Sequence, residues 1–445
     1  MQNAQVSKIN TDLVAPFSYR WMGQQVLVTN DLGSWLFLDQ VSFKSFVEGT
    51  LDTGGSTYED LASKGFIPTE LDKQAHTDSL KERMGYFHHG PSRHTIALSN
   101  VDGSEKMSLL IGERTIDMAF QSNAQRLQFI FVTGQGPLNW DTLTSTVDFA
   151  NMKNSLARKT VEFVLRGSLD ALKPKQIKWL LANDFRFEAD FDAATLAGEE
   201  TPLRNTVAAI HEKLVENGAN HRVVARINPS EQVLQMGPAL LQGLRTLGVQ
   251  AFVLRTAGDG RQTVSPSDFG PFYRSILQAL LDDDSDAPLW EQTAVEFIGR
   301  IFGAPETALS TTRTLGTDGI GELAYGWDGT IYSSDEGRML GDMGDPLFAL
   351  GKVTTDNYQM VVTHPTVRAL VLASVTDGQP GFVNWVYKPF CGSRASQNYI
   401  DQGSIQGRAG DSNLFGNHQV ILDSIFEVFQ QQGASPSLFQ KWSQA

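Results

Sequence analysis

Residues 322–353 read ELAYGWDGTIYSSDEGRMLGDMGDPLFALGKV. Two short runs, 322–325 and 330–333, flank Trp327-Asp328-Gly329. Asp-Gly readily supplies the positive φ angles of a tight turn between antiparallel strands, so the stretch predicts a β-hairpin. A glycine-punctuated segment follows, with Arg338-Met339-Leu340 and Phe348-Ala349-Leu350-Gly351 as expected packing points. The whole stretch lacks cysteine, and Ser333 and Ser334 stand at its centre.

The composition narrows the function classes. A chain of 445 residues is long enough for two or three domains. Its hydrophobic content of 41% and charged content of 19% are ordinary for a globular protein. The net charge of −14 and the lack of a long basic run argue against nucleic acid as a partner. No apolar run is long enough for a membrane span, and the first residues, MQNAQVSKINTDL, lack a signal-peptide core. The expected location is cytoplasmic. Cys391 is the single cysteine, which excludes an intrachain disulfide and any metal site built from cysteine alone.

Upstream of the hairpin, apolar runs alternate with helical patterns. Residues 19–22, 25–29 and 34–38 read as strands, followed by short helices over 41–49 and 57–64. Further strands are expected at 94–99, 127–132, 160–166, 185–190, 222–227 and 250–255, and helices at 141–156, 175–182, 203–217 and 231–246. About six βα repeats imply a parallel sheet buried on both faces, with ligands at the C-terminal strand ends. His88, His89 and His94 lack metal-ligand spacing, and the acidic run 282–286 lacks a calcium-loop pattern. Both read as solvated segments, and no metal site is expected.

With this order of elements, the hairpin stretch resembles the start of the SPASM domain of radical S-adenosylmethionine (SAM) peptide maturases. The likeness is greatest to the B-type maturase of the His-Xaa-Ser peptide system, and it runs from about residue 17 to 430. It implies an α/β fold: a partial (β/α)6 barrel, a small N-terminal α+β recognition-element-like unit and a SPASM-like C-terminal region. The matching segments are 1–70 for the N-terminal peptide-recognition-like unit, 71–93 for a linker and 94–265 for the barrel. A helical connection over 266–315 and a cluster-free SPASM-like region over 316–445 complete the chain.

The resemblance also shows what has been lost. Enzymes of this kind carry three cysteines after the first barrel strand, holding a 4Fe–4S cluster with one iron left for SAM. The matching positions are Asn100, Ser104 and Met107. Phe131–Trp140, FVTGQGPLNW, resembles the motif that binds the SAM amino group; Thr133, Gly134, Gln135 and Gly136 occupy it, and Gln135 replaces its acid. PGFVNWVYKPFCGSR, residues 380–394, resembles an auxiliary-cluster segment. There Phe382, Trp385 and Arg394 stand at cysteine positions and Cys391 alone remains; Ser334 stands at another such position in the hairpin. A buried relict thiol is the expected role of Cys391.

The expected function is therefore that of a non-catalytic protein of ribosomal peptide maturation, without cofactor. It would bind a precursor peptide, a catalytic radical SAM partner, or both. The alternative is a rim repurposed for cluster-independent catalysis. Asp102, Glu105, Gln135, Glu188, Asp190, Asp192 and Arg255 are the polar residues available there, with Asp190 and Asp192 as the candidate pair.

Overall fold

A computed structural model of the chain describes residues 9–70, 74, 77–78, 90–170, 172–216, 222–256, 264–283, 285, 288–303, 318–433 and 436–443. His88 and His89 lie outside the described residues. No described helix is long and apolar enough to cross a membrane.

The N-terminal part is an antiparallel meander of β1 (Ser18–Met22), β2 (Gln25–Thr29) and β3 (Trp35–Asp39). Side chains alternate across it. Val26, Val28, Leu36 and Leu38 form a small core with Phe43, Phe46, Leu61 and Phe66 of the following helices and turn. The Asp39 carboxylate accepts hydrogen bonds from the Val41 and Ser42 amides and starts the helix Gln40–Glu48. On the other face, Trp35 stacks on Phe429 and meets Phe426 edge-on, both on the helix Asn413–Gln432.

Apolar runs of the middle chain form β4 (Arg93–Ala97), β5 (Arg126–Val132), β6 (Thr160–Arg166), β7 (Arg186–Phe191), β8 (Val223–Ile227), β9 (Ala251–Leu254) and β10 (Trp290–Glu291). All seven are parallel and lie in chain order. The hairpin extends the same sheet: β11 (Glu322–Tyr325) pairs parallel with β4, and β12 (Thr330–Tyr332) and β13 (Ala349–Lys352) follow antiparallel. Gly329, at φ +83°, makes the turn. One cavity is lined both by Arg93 of β4 and by Val253 of β9, five strands away. In a flat sheet these strands would lie roughly 24 Å apart, so the sheet curls around the cavity.

Two helical expectations change. The helix expected over 231–246 is two, Glu231–Met236 and Ala239–Thr246, because Gly237-Pro238 breaks it. Gly237 sits at φ 52°, ψ −139°, which suits glycine alone. The helix Leu109–Phe120 has no counterpart among the elements expected from sequence. Gly112 inside it weakens the sequence signal, yet a Cβ there would lie 2.3 Å from Thr146 Oγ1 of the helix Trp140–Ala157. The glycine permits this close helix–helix approach.

Candidate functional site

The cavity occupies about 380 Å³ inside the curl. A parallel strand buried on both faces should be continuously apolar. Glu188 and Asp190 on β7 and Arg226 on β8 break that rule, and the alternation of strand side chains places them in the cavity lining with Arg93 and Thr95 of β4. Register sets Arg166 beside Glu188 and Asp190 beside Arg226. From the opposite side come Glu322 of β11, the helix Asp335–Asp342 and Arg394.

These groups form a chain of ion pairs. Arg166 Nε lies 2.7 Å from Glu188 and its Nη1 lies 3.5 Å from Asp335. Arg338 holds Asp335 and Asp342, each at 2.7 Å. Arg394 Nη2 lies 2.9 Å from both Glu322 and Glu336. Burial disfavours the Glu188 anion, but Arg166, Arg93 and Arg226 outweigh it and hold the carboxyl down at about 2. Burial dominates at Glu322 and pushes it up to about 7 against the pull of Arg394. Pairs this deep add little net stability, but removing one partner strands a buried charge. The network therefore fixes how the hairpin region docks against the sheet.

The loop after β4 is closed on itself. Asn100 Nδ2 donates to Ser104 Oγ at 3.0 Å, and Asn100 Oδ1 accepts from the Glu105 amide at 3.1 Å. Asp102 accepts from both the Ser104 amide and its hydroxyl. Met107 is 2% exposed and packs in the main core. The loop after β5 lies directly against it: the Gln135 amide donates to the Val101 carbonyl at 2.8 Å. A Cβ on Gly134 would come 2.1 Å from the Asn100 carbonyl oxygen, and one on Gly103 would come 1.8 Å from that of Gln135. Gly136 has open space around it, and Thr133 lines the cavity. Asp102, Glu105 and Gln135 do not line the cavity.

The C-terminal positions serve other tasks. Ser334 caps the helix Asp335–Asp342 by accepting from the Gly337 amide at 3.2 Å. Phe382 and Trp385 pack on Phe415, with centroids 4.0 and 3.9 Å apart. Cys391 is fully buried, as expected, and His418 Nδ1 lies 3.3 Å from its Sγ. Nothing in the residue order points to this pair, because the two residues are 27 positions apart and on different elements. Burial pushes the thiol up to about 12 and His418 down to about 3, so both are neutral and the pair is no nucleophile. Asp190 and Asp192 both line a second pocket of about 360 Å³. Asp192, however, accepts the Thr195 amide at 2.8 Å as a helix cap, and Asp190 faces Arg226 at 3.5 Å. No group of three or more metal-ligating side chains occurs among the described residues.

No protein-family model and no curated protein matches the sequence. Solved structures do match. One is native anSMEcpe with bound AdoMet and Cp18Cys peptide, at TM-score 0.61 and 10% identity, covering 80% of this chain and 100% of that one. The chain shares the fold of this AdoMet- and peptide-bound protein. A tagged form of anSMEcpe with bound AdoMet matches at TM-score 0.60 and 10% identity, over 80% and 98% of the two chains. Streptococcus suis SuiB bound to precursor peptide SuiA matches at 0.53 and 10% identity, over 90% and 98%. The resemblance read from the sequence implies an iron–sulfur cluster and SAM, and the residues present do not fit them. The chain's one thiol is buried against His418, and the loop after β4 offers an amide and a hydroxyl that bond each other and a core thioether.

Sequence reasoning places Glu188, Asp190 and Arg255 on the rim but misses Arg93, Arg166, Arg226, Arg338 and His418 as cavity-lining groups. The available signal is a charge inside an apolar strand, as in Val223–Ile227, VVARI.

Proposed function

We propose that this chain is a cluster-free relative of the radical SAM peptide maturases that serves ribosomal peptide maturation as an adaptor. It binds a precursor peptide, a catalytically intact radical SAM partner, or both. The observation that carries this reading is the close contact between the loops after β4 and β5, where Asn100 and Ser104, at cluster-matched positions, bond each other and the Gln135 amide bonds the Val101 carbonyl. In this reading the curled sheet is a degenerate partial barrel, and β11–β13 with the following segment form a cluster-free SPASM-like region.

The three-stranded sheet supports a peptide-binding role. Among the described residues the outer edges of β1 and β3 carry no further strand, which permits an extended peptide to add by main-chain hydrogen bonds. The rival reading, catalysis by Asp190 and Asp192, draws less support because one caps a helix and the other faces Arg226 and Arg255.

The test has two arms. The purified chain is reconstituted anaerobically with iron and sulfide and titrated with SAM; neither is expected to bind, and stoichiometric uptake of both overturns the reading. The tagged chain is then isolated gently from its native host and its companions identified by mass spectrometry. A cysteine-bearing radical SAM enzyme or a short encoded peptide is the expected companion.

A further inference from the structure

The two outer edges of the N-terminal meander differ. Lys64 Nζ donates to the Trp35 carbonyl at 2.8 Å, so that carbonyl points away from β2 and is already taken. A lysine laid across an edge is a guard against strand addition. Trp35 and Phe37 also spend their rings on Phe426 of the helix Asn413–Gln432, and Asp39 caps the next helix. The edge of β1 has no such guard. Trp35 lies opposite Thr29, and Thr29 opposite Ser18. Bonded and unbonded pairs alternate along an antiparallel ladder. Ser18, Arg20 and Met22 therefore turn their backbone groups toward β2, whereas Tyr19 and Trp21 turn theirs outward. Among the described residues no backbone group lies bonded to that outward side. The side chains of Phe17, Tyr19 and Trp21 line up along Phe43, with ring centroids 6.3, 5.1 and 5.9 Å from it, and Tyr19 stays 42% exposed. At the N-terminal end of β1, Phe17 and Ser18 line a pocket of about 380 Å³ with Val14, Pro16, Val383 and Pro389.

We propose that the edge of β1, and not that of β3, is the docking strand for an extended peptide with apolar side chains at alternate positions and a polar or acidic one between them. The inference rests on the peptide-binding arm of the adaptor reading and deepens it. An added strand bonds the outward amides and carbonyls of Tyr19 and Trp21. Its side chains opposite those two residues fall on the aromatic row. The side chain between them falls on the other face, beside Arg20, which is 37% exposed and 2.8 Å from Asp423. The pocket at the strand end takes an apolar side chain from the same peptide. A second copy of the chain fits this edge poorly. The antiparallel register that uses both outward residues pairs Tyr19 with Trp21 of the copy, and so sets Arg20 directly against its own counterpart. Like charges directly opposite each other are destabilising.

Random peptides displayed on phage are panned on the full chain, and the most enriched peptide is synthesised and titrated. It should carry the alternating pattern. At saturation it should slow amide hydrogen exchange at Tyr19 and Trp21 and leave Phe37 unchanged, a readout that needs no variant. Tyr19→Ala and Tyr19→Pro both remove the ring, but only proline also removes the outward N–H. Tyr19→Pro should therefore bind about tenfold more weakly than Tyr19→Ala. Lys64→Met unblocks β3 and should leave the affinity unchanged. Protection at Phe37 in place of Tyr19, equal affinities of the two Tyr19 variants, self-association through β1 in place of peptide binding, or no enriched peptide overturns the proposal. None of these outcomes bears on iron or SAM uptake, so the cluster-free adaptor reading stands or falls by its own test.

Discussion

Glu291 shows how one buried side chain couples the fold to pH. It ends β10, accepts the Ala294 amide at 2.7 Å as cap of the helix Gln292–Ile301, and receives the Tyr273 hydroxyl at 3.4 Å. It is 1% exposed, and no cation is among the leading influences on it. Burial pushes it up to about 7 from an ordinary 4.5, despite the amide hydrogen bonds that favour the anion. The folded state thus holds a proton that the unfolded state releases. Stability is full below the unfolded value, falls as pH rises through the interval, and levels off above about 7. Glu291→Gln keeps the cap and removes the ionisation. Its unfolding free energy from urea titration should rise relative to wild type between about pH 5 and about pH 8, by an amount on the order of 2–3 kcal/mol. A gap of equal size at both pH values would sink this account.

At the scale of elements, the two rim loops act as one closed unit. Gly103 and Gly136 both have positive φ, +74° and +95°, so alanine at either costs about 1–2 kcal/mol of backbone strain. Only Gly103 also faces a backbone carbonyl, 1.8 Å from where a Cβ would sit; Gly136 faces open space. Gly103→Ala should therefore lose about 1–3 kcal/mol more than Gly136→Ala, the cost of overpacking. Chemical denaturation of the two variants gives the difference directly, and equal losses would mean that the loops are not in contact. The same packing explains why the hairpin was legible and the rim was not. Asp328-Gly329 decides its own turn locally, whereas the contact of Gly103 with Gln135 joins two loops that are individually ordinary.

Across the whole molecule, the first strands and the last long helix form one interface. Arg20 pairs with Asp423 at 2.8 Å, Gln430 donates to the Met22 carbonyl at 2.9 Å, and Thr29 donates to the Val386 carbonyl at 2.6 Å. Phe426 is the hub, fully buried against Trp35, Phe37, Tyr387, Phe390 and Phe429. Phe426→Ala should cost about 3–5 kcal/mol. Because the cavity it leaves touches the meander, the C-terminal segment and the long helix together, tryptophan fluorescence and far-ultraviolet circular dichroism should shift in step. A shift in only one probe would show that the meander folds apart from the rest.

Some of this protein was settled by residue order and count. The parallel strands follow from apolar runs spaced by helical patterns, the hairpin from Asp-Gly, and the exclusion of a cysteine-only cluster within one chain from a single thiol in 445 residues. These are local or compositional facts, and no packing can alter them. The cavity is different. Whether Arg226 meets Asp190, whether Cys391 meets His418 and whether Arg394 bridges Glu322 and Glu336 depend on strand register and on the curl of the sheet. Those are set by many small contacts among residues far apart in the chain. In sequence, Arg226 is one charged residue among many; within the curl it is a largely buried cation 3.5 Å from Asp190, and only the tertiary structure makes it so.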